Sequence, residues 1–290
     1  MTTQTCLSES AIVTRDKRSY WTFTGGAFAH ATTMMIRHKR IVLAALVTLA
    51  PVIIPLLLPL LTKSEFSEDG IKIFKFLMEQ IYLKAMAPLL ALFFGCMLIG
   101  EDIEQQTIPY IVTRPIPRSA LVLGRFGAYV FMSAVILLTS VVLTFAACTA
   151  VGKLEFCRET IVLLAHYAGV GVASLLGYGA LTTFLGAISR KPIIIGVLFM
   201  FGWQRLATIV PGAVDFLTIE KYLNALLPAM ATERQNTVVK LALIEFQKKQ
   251  LIIDASKAGL SLLIIVAALI VATCLVIRYR EYSQSRTAAG

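Results

Sequence analysis

Six stretches of this chain are nearly free of charge and long enough to cross a bilayer, and no other feature constrains the fold as tightly. They fall at roughly 41–62, 81–100, 121–151, 161–188, 192–210 and 259–277. A hydrocarbon layer of ~30 Å takes ~20 helical residues to cross. Lipid offers no partner to a bare backbone N–H or C=O, so each stretch must satisfy its own hydrogen bonds as a helix. The short alternating segments of a membrane barrel are absent. The balance of 57% hydrophobic and 15% charged residues, with a mean hydropathy of +0.77, is not that of a soluble domain. The expected fold is an all-α integral membrane protein with six transmembrane helices.

The remaining residues divide simply. A cytoplasmic arm covers 1–40, the transmembrane region 41–277 and a cytoplasmic tail 278–290. Residues 1–20 are polar and lack the short apolar core of a cleavable signal, so the first span is expected to be an uncleaved anchor. Basic residues accumulate on one side: Arg15, Lys17, Arg18, Arg37, Lys39 and Arg40, then Arg114, Arg118 and Arg125, then Arg190 and Lys191, and finally Arg278, Arg280 and Arg286. Positive charge stays inside, which predicts a plasma (inner) membrane protein with both termini cytoplasmic. On this reading the net charge of +10 reflects topology. No basic stripe with interleaved aromatics indicates nucleic acid.

Several local patterns carry two readings each. In the arm, Trp21, Phe23 and Phe28 precede a basic cluster, which suits an amphipathic helix in the headgroup zone over 20–40. The first span holds Pro51, Pro55 and Pro59 on one face. Each removes a donor and bends the helix, giving either a bent packing helix or a pathway or gating element. Phe74, Leu77, Met78 and Ile81 recur at helical spacing, which predicts an amphipathic helix lying on the outer surface before the second span. Ala165, Gly169, Ala173 and Gly177 form a small-residue stripe for close approach of a helix, from this chain or from another subunit. Gln204 and Arg205 stand near the outer end of the fifth span, where Arg205 can snorkel or meet an anionic substrate. The long outer loop 211–258 shows a helical face of Ile219, Leu223, Leu226, Leu227 and Met230. A second short helix is expected over Glu233–Gln250. Such helices would be re-entrant or lie on the outer surface.

Other classes find little support. No Walker A motif occurs, and Gly152-Lys153 lacks the required glycine spacing. Of three histidines only His166 lies in a span, where it reads as a hydrogen-bonded packing residue; no metal site is expected. The five cysteines form no CxxC or zinc spacing. Spans three, four and six lack the mid-membrane acids of a proton relay, and no catalytic constellation can be assembled.

The informative polar stretch is 101–118. Glu101, Asp102 and Glu104 extend the second span; Pro109 ends helical pairing; Arg114-Pro115-Ile116-Pro117-Arg118 is stiffened by two prolines; Ser119 can cap the third span. A stiff elbow, acidic at one end and basic at the other, can transmit motion from a cytoplasmic partner. It also fits an ordinary tight loop with positive-inside arginines.

The run Gly100-Glu101-Asp102, Glu104, Thr107, then Arg114-Pro115-Ile116-Pro117-Arg118 and Leu123-Gly124-Arg125, resembles the ABC transporter type 2 permeases. Gln106 replaces their usual glycine and Arg125 their usual lysine. The layout of arm, six spans and long outer loop is similar over nearly the whole chain. The resemblance implies a permease subunit, not itself an enzyme, that moves a substrate outward. It implies pairing with a second permease copy, identical or different, and docking on soluble ABC ATPase subunits that bind ATP and Mg. Glu101, Asp102, Glu104, Thr107, Arg114, Pro115 and Arg118 would then couple to the ATPase. Apolar interior faces suggest a hydrophobic cargo. The rival expectation is a non-transporting anchor or assembly subunit of a larger membrane complex.

Overall fold

The computed structural model describes residues 20–37, 39–61, 70–104, 118–151, 157–189, 192–203, 218–227, 238–241, 244–247 and 255–279. Helix dominates. Helix α1 (Tyr20–Arg37) precedes α2 (Lys39–Leu49), a 3-10 turn (Ala50–Val52) and α3 (Ile53–Leu61). Next, α4 (Gly70–Phe76) runs through a π-helical stretch (Leu77–Met86) into α5 (Ala87–Glu104) without a break. The long helices α6 (Arg118–Val151) and α7 (Arg158–Ile188) follow. After them come α8 (Pro192–Val197) with a second π stretch (Leu198–Trp203), α9 (Ile219–Leu226), strands β1 (Val238–Leu241) and β2 (Ile244–Gln247), and α10 (Ala255–Tyr279).

Among the described residues, four helices are long and apolar enough to cross a membrane: Ile73–Gly95, Ser119–Ala150, Arg158–Ile188 and Ala255–Tyr279. A fifth is reached if the bent pair Tyr20–Arg37 and Ile41–Leu57 counts as one span. The block at 192–210 shows a shorter apolar helix, Ile193–Trp203, and its remainder lies outside the described residues.

Helix α7 is the centre of the bundle: α5, α6 and α10 all pack along it. Its small residues make this possible. A Cβ on Gly179 would overlap the ring of Tyr129 on α6, and a Cβ on Gly95 of α5 would overlap Thr182 of α7. Backbones that approach this closely gain dispersion contacts, the main attraction available between helices when the surroundings are as apolar as the side chains. The small-residue stripe is used unevenly. Gly177 faces Ile219 and Leu262, whereas a Cβ on Gly169 would meet nothing within 4 Å. Helix α10 buries Ala258, Leu262, Val266, Thr273 and Ile277 and exposes Leu260, Leu263, Ile264, Val271 and Leu275, the pattern of a peripheral span with one face on protein.

Helix α1 forms within the region expected for the arm helix and lies at 72° to the segment that follows. It packs along α6. Phe23, Thr24, Ala27, Phe28, Ala31, Thr32 and Met35 turn inward at helical spacing, while Trp21, Met34 and Ile36 stay exposed. Both faces are largely apolar, so packing distinguishes them more than polarity does.

Two expectations are corrected. The helix over 74–81 does not lie on a surface. Phe74, Leu77 and Met78 are buried, with Phe74 edge-on to Phe145 and to Tyr167. The second span accordingly begins near Ile73, not at 81. Helical spacing is the same for a surface helix and a core helix, and here the apolar stripe found protein. Within Glu233–Gln250 the structure forms an antiparallel hairpin in place of the expected short helix, with Val238 opposite Gln247, Val239 opposite Phe246 and Leu241 opposite Ile244. Two adjacent valines and the Ile-x-Phe alternation favour a pleated strand, because β-branched and aromatic side chains lose rotamer freedom in a helix.

Candidate functional site

The C-terminal end of α5 and the N-terminal end of α6 flank the polar stretch in sequence. Glu101, Asp102 and Glu104 occupy the last turn of α5, and Arg118 is the first residue of α6. Thr107, Arg114 and Pro115 lie outside the described residues, as do Gln204 and Arg205.

Immediately above the elbow, Gly124 explains one part of the motif. A Cβ there would lie 2.5 Å from the Thr24 carbonyl oxygen and 2.7 Å from Ala27 Cβ. The glycine is the point where α1 lies against α6. Tyr20 hydroxyl donates to Ser119 Oγ at 3.2 Å at one end of this contact, and Phe28 meets the ring of Phe131 at the other. The arm helix and the start of α6 are therefore joined directly above the elbow.

Pro51 and Pro55 of the first span lie on its buried face. Ala44, Thr48, Pro51 and Pro55 form one buried face, while Ile53, Ile54, Leu56 and Leu57 stay exposed. Pro59 lies in α3, with its side chain outside the described set. At Pro51 the helix tightens into the 3-10 turn. The 3-10 partner of the Thr48 carbonyl would be the N–H of Pro51, which has none. Ser140 Oγ on α6 donates to that carbonyl at 2.6 Å instead.

Ser140 belongs to a buried node absent from the motif reading. The Tyr82 hydroxyl, within the π stretch, lies 2.6 Å from Ser140 Oγ and 2.6 Å from Thr144 Oγ1. Thr144 can also turn to the Ser140 carbonyl at 3.0 Å. Thr48, Ser140 and Thr144 are 0% exposed. One node thus touches the first span at Thr48, just before its 3-10 turn, the second span in its π stretch, and α6. Long π-helical runs are rare and concentrate at functional positions. The signal in the sequence was a set of hydroxyl residues inside apolar spans, which only becomes specific once the helices are paired.

A second polar group sits nearby. Tyr167 of α7 donates to Glu79 Oε1 at 2.9 Å. Lys84 Nζ donates to Gln80 Oε1 at 3.1 Å and stands 3.9 Å from Glu220 of α9. His166 Nε2 lies 2.9 Å from the Leu226 carbonyl; a carbonyl only accepts, so this ring nitrogen carries the proton. Helix α9 is tied to α7 through His166 and to the π stretch through Lys84. Among the described residues no group of three His, Cys, Asp or Glu is placed to hold a metal.

These features define a class: a multi-pass helical membrane protein whose buried polar groups join helices to one another. Residues 34–203 match the family described as ABC-2 family transporter protein, and the chain belongs to that family. No curated protein matches the chain. Family membership makes it a membrane transport component of the permease type.

Proposed function

We propose that the chain is the transmembrane permease subunit of an ATP-driven exporter, with ATP and Mg bound by separate ABC ATPase subunits and a second permease copy completing the pathway. The family match over 34–203 carries this reading. On it, Glu101, Asp102 and Glu104, with Thr107, Arg114, Pro115 and Arg118, receive the ATPase on the cytoplasmic side of a plasma (inner) membrane. The arm helix α1 lies at the membrane face, and both termini are cytoplasmic. The unbroken helix from Gly70 to Glu104 supports the assignment, because it gives a push on its inner end a continuous path toward the outer half. Hydrolysis is assigned to the partner and outward movement of substrate to the spans.

The test is co-purification of the full chain with a soluble Walker-motif ATPase from its native membrane. The double variant Glu101→Lys, Glu104→Lys should insert normally and abolish permease-dependent stimulation of that ATPase. Absence of any nucleotide-hydrolysing partner, or unaltered stimulation, would reject the assignment.

A further inference from the structure

The buried node has a direction, and it follows from counting protons. The Thr48 carbonyl has no hydrogen, so Ser140 Oγ must donate to it at 2.6 Å. Ser140 has then spent its only proton, so the 2.6 Å contact with Tyr82 must be a bond donated by Tyr82. Tyr82 in turn has none left for Thr144, so the second 2.6 Å contact must be donated by Thr144. When all three contacts are made, the order is Thr144 to Tyr82 to Ser140 to the Thr48 carbonyl. Thr144 and Tyr82 each have the Ser140 carbonyl as a fallback acceptor, at 3.0 and 3.3 Å. The chain can therefore break in the middle without stranding a donor. Ser140 Oγ then keeps its own proton for the Thr48 carbonyl but loses the bond it accepts from Tyr82, and with it the polarisation that strengthens the last link.

This chain runs from Thr48, two residues before the 3-10 turn at Ala50–Val52, to the π stretch at Leu77–Met86, and among the described residues these are the only two departures from α geometry in the first two spans. Both are places where a hydrogen-bond ladder is out of α register. A ladder that slips by one residue turns everything beyond it by about 100°. For the π stretch, what lies beyond is α5, down to Glu104.

We propose that Thr144, Tyr82 and Ser140 form a directed hydrogen-bond relay that locks the 3-10 turn of the first span to the π stretch of the second, so that the two irregular segments loosen together as one conformational unit. The relay is a device of the fold and does not depend on the ATPase assignment. Chains of hydroxyl donors polarise one another in a low-dielectric interior, so cutting one link weakens the rest.

Hydrogen–deuterium exchange of the full chain in lipid nanodiscs tests this. Tyr82→Phe removes a hydroxyl that does not touch the first span, yet amides over 49–56 should exchange about fivefold to tenfold faster, together with those over 77–92. Ser140→Ala should act more strongly on 49–56, and Thr144→Val less strongly than either. Thr139→Ala, which removes an exposed hydroxyl next to Ser140 that is bonded to the Val135 carbonyl of its own helix, should leave both segments unchanged. Acceleration confined to 77–92 in Tyr82→Phe, a different ranking at 49–56, or an equal effect of Thr139→Ala would overturn the proposal. Should Tyr82→Phe fail to fold, the ranking of Ser140→Ala above Thr144→Val at 49–56 still decides it.

Discussion

The ring of Tyr129 on α6 fills the space where a Cβ on Gly179 of α7 would stand, and its hydroxyl donates to the Leu175 carbonyl at 3.0 Å one turn away. Tyr129 is completely buried, so ring and hydroxyl are both committed to α7. Any side chain at 179 must displace the ring and with it the hydrogen bond. Gly179→Val should destabilise the bundle by about 1–3 kcal/mol through overpacking. A lowered apparent Tm in detergent, without loss of membrane insertion, is the expected result. Tyr129→Phe should cost less, since only the hydroxyl is lost.

Gly124→Leu should separate the arm from α6. The added side chain has no room beside Thr24 and Ala27. A cysteine pair placed at Tyr20 and Ser119, whose hydroxyls meet at 3.2 Å across the length of the tyrosine ring, should be bridged readily by a short bifunctional thiol reagent in the parent chain and poorly in the Gly124→Leu variant. Efficient cross-linking in both would show that the motif glycine is not the contact that seats the arm.

Glu79 and Tyr167 should be energetically coupled. Glu79→Ala leaves the Tyr167 hydroxyl without its acceptor, and Tyr167→Phe leaves the carboxylate without its donor; each should cost about 1–3 kcal/mol. A double-mutant cycle should return a coupling of about 0.6–1.7 kcal/mol, the range for hydrogen bonds between membrane helices. Glu79→Gln, whose side-chain carbonyl can still accept, should be milder than Glu79→Ala.

Pro51→Ala restores a backbone N–H at the 3-10 turn. That N–H offers helix-internal hydrogen bonding at the point where Ser140 now supplies a donor to Thr48. The cost of Ser140→Ala should therefore be smaller in the Pro51→Ala background, by about 0.5–1.5 kcal/mol. Denaturant or thermal unfolding of the four-member cycle measures it, and strict additivity would show that the proline and the serine act separately.

The Lys84–Glu220 contact, at 3.9 Å and largely shielded from solvent, should contribute less than about 1 kcal/mol. Lys84→Met should leave stability nearly unchanged while raising the protease sensitivity of the chain that flanks α9.

Residue chemistry alone was enough to establish the helical membrane class and the resemblance carried by residues 100–125, while the expected number of spans and the start of the second were only partly met. Those conclusions rest on the cost of bare backbone in lipid and on residues whose backbone limits are intrinsic. It did not reveal that Phe74, Leu77 and Met78 face the interior, because an apolar stripe looks the same whether it meets lipid or protein. The hairpin at 238–247 was read as helix because a short apolar run of that length fits either period, and strand pairing decided it. The Tyr82 node was invisible for a different reason. Residues 48 and 82 are distant in sequence from 140 and 144, each hydroxyl is ordinary alone, and only the packing of two irregular helices on α6 puts three hydroxyl protons and the Thr48 carbonyl within reach of one another.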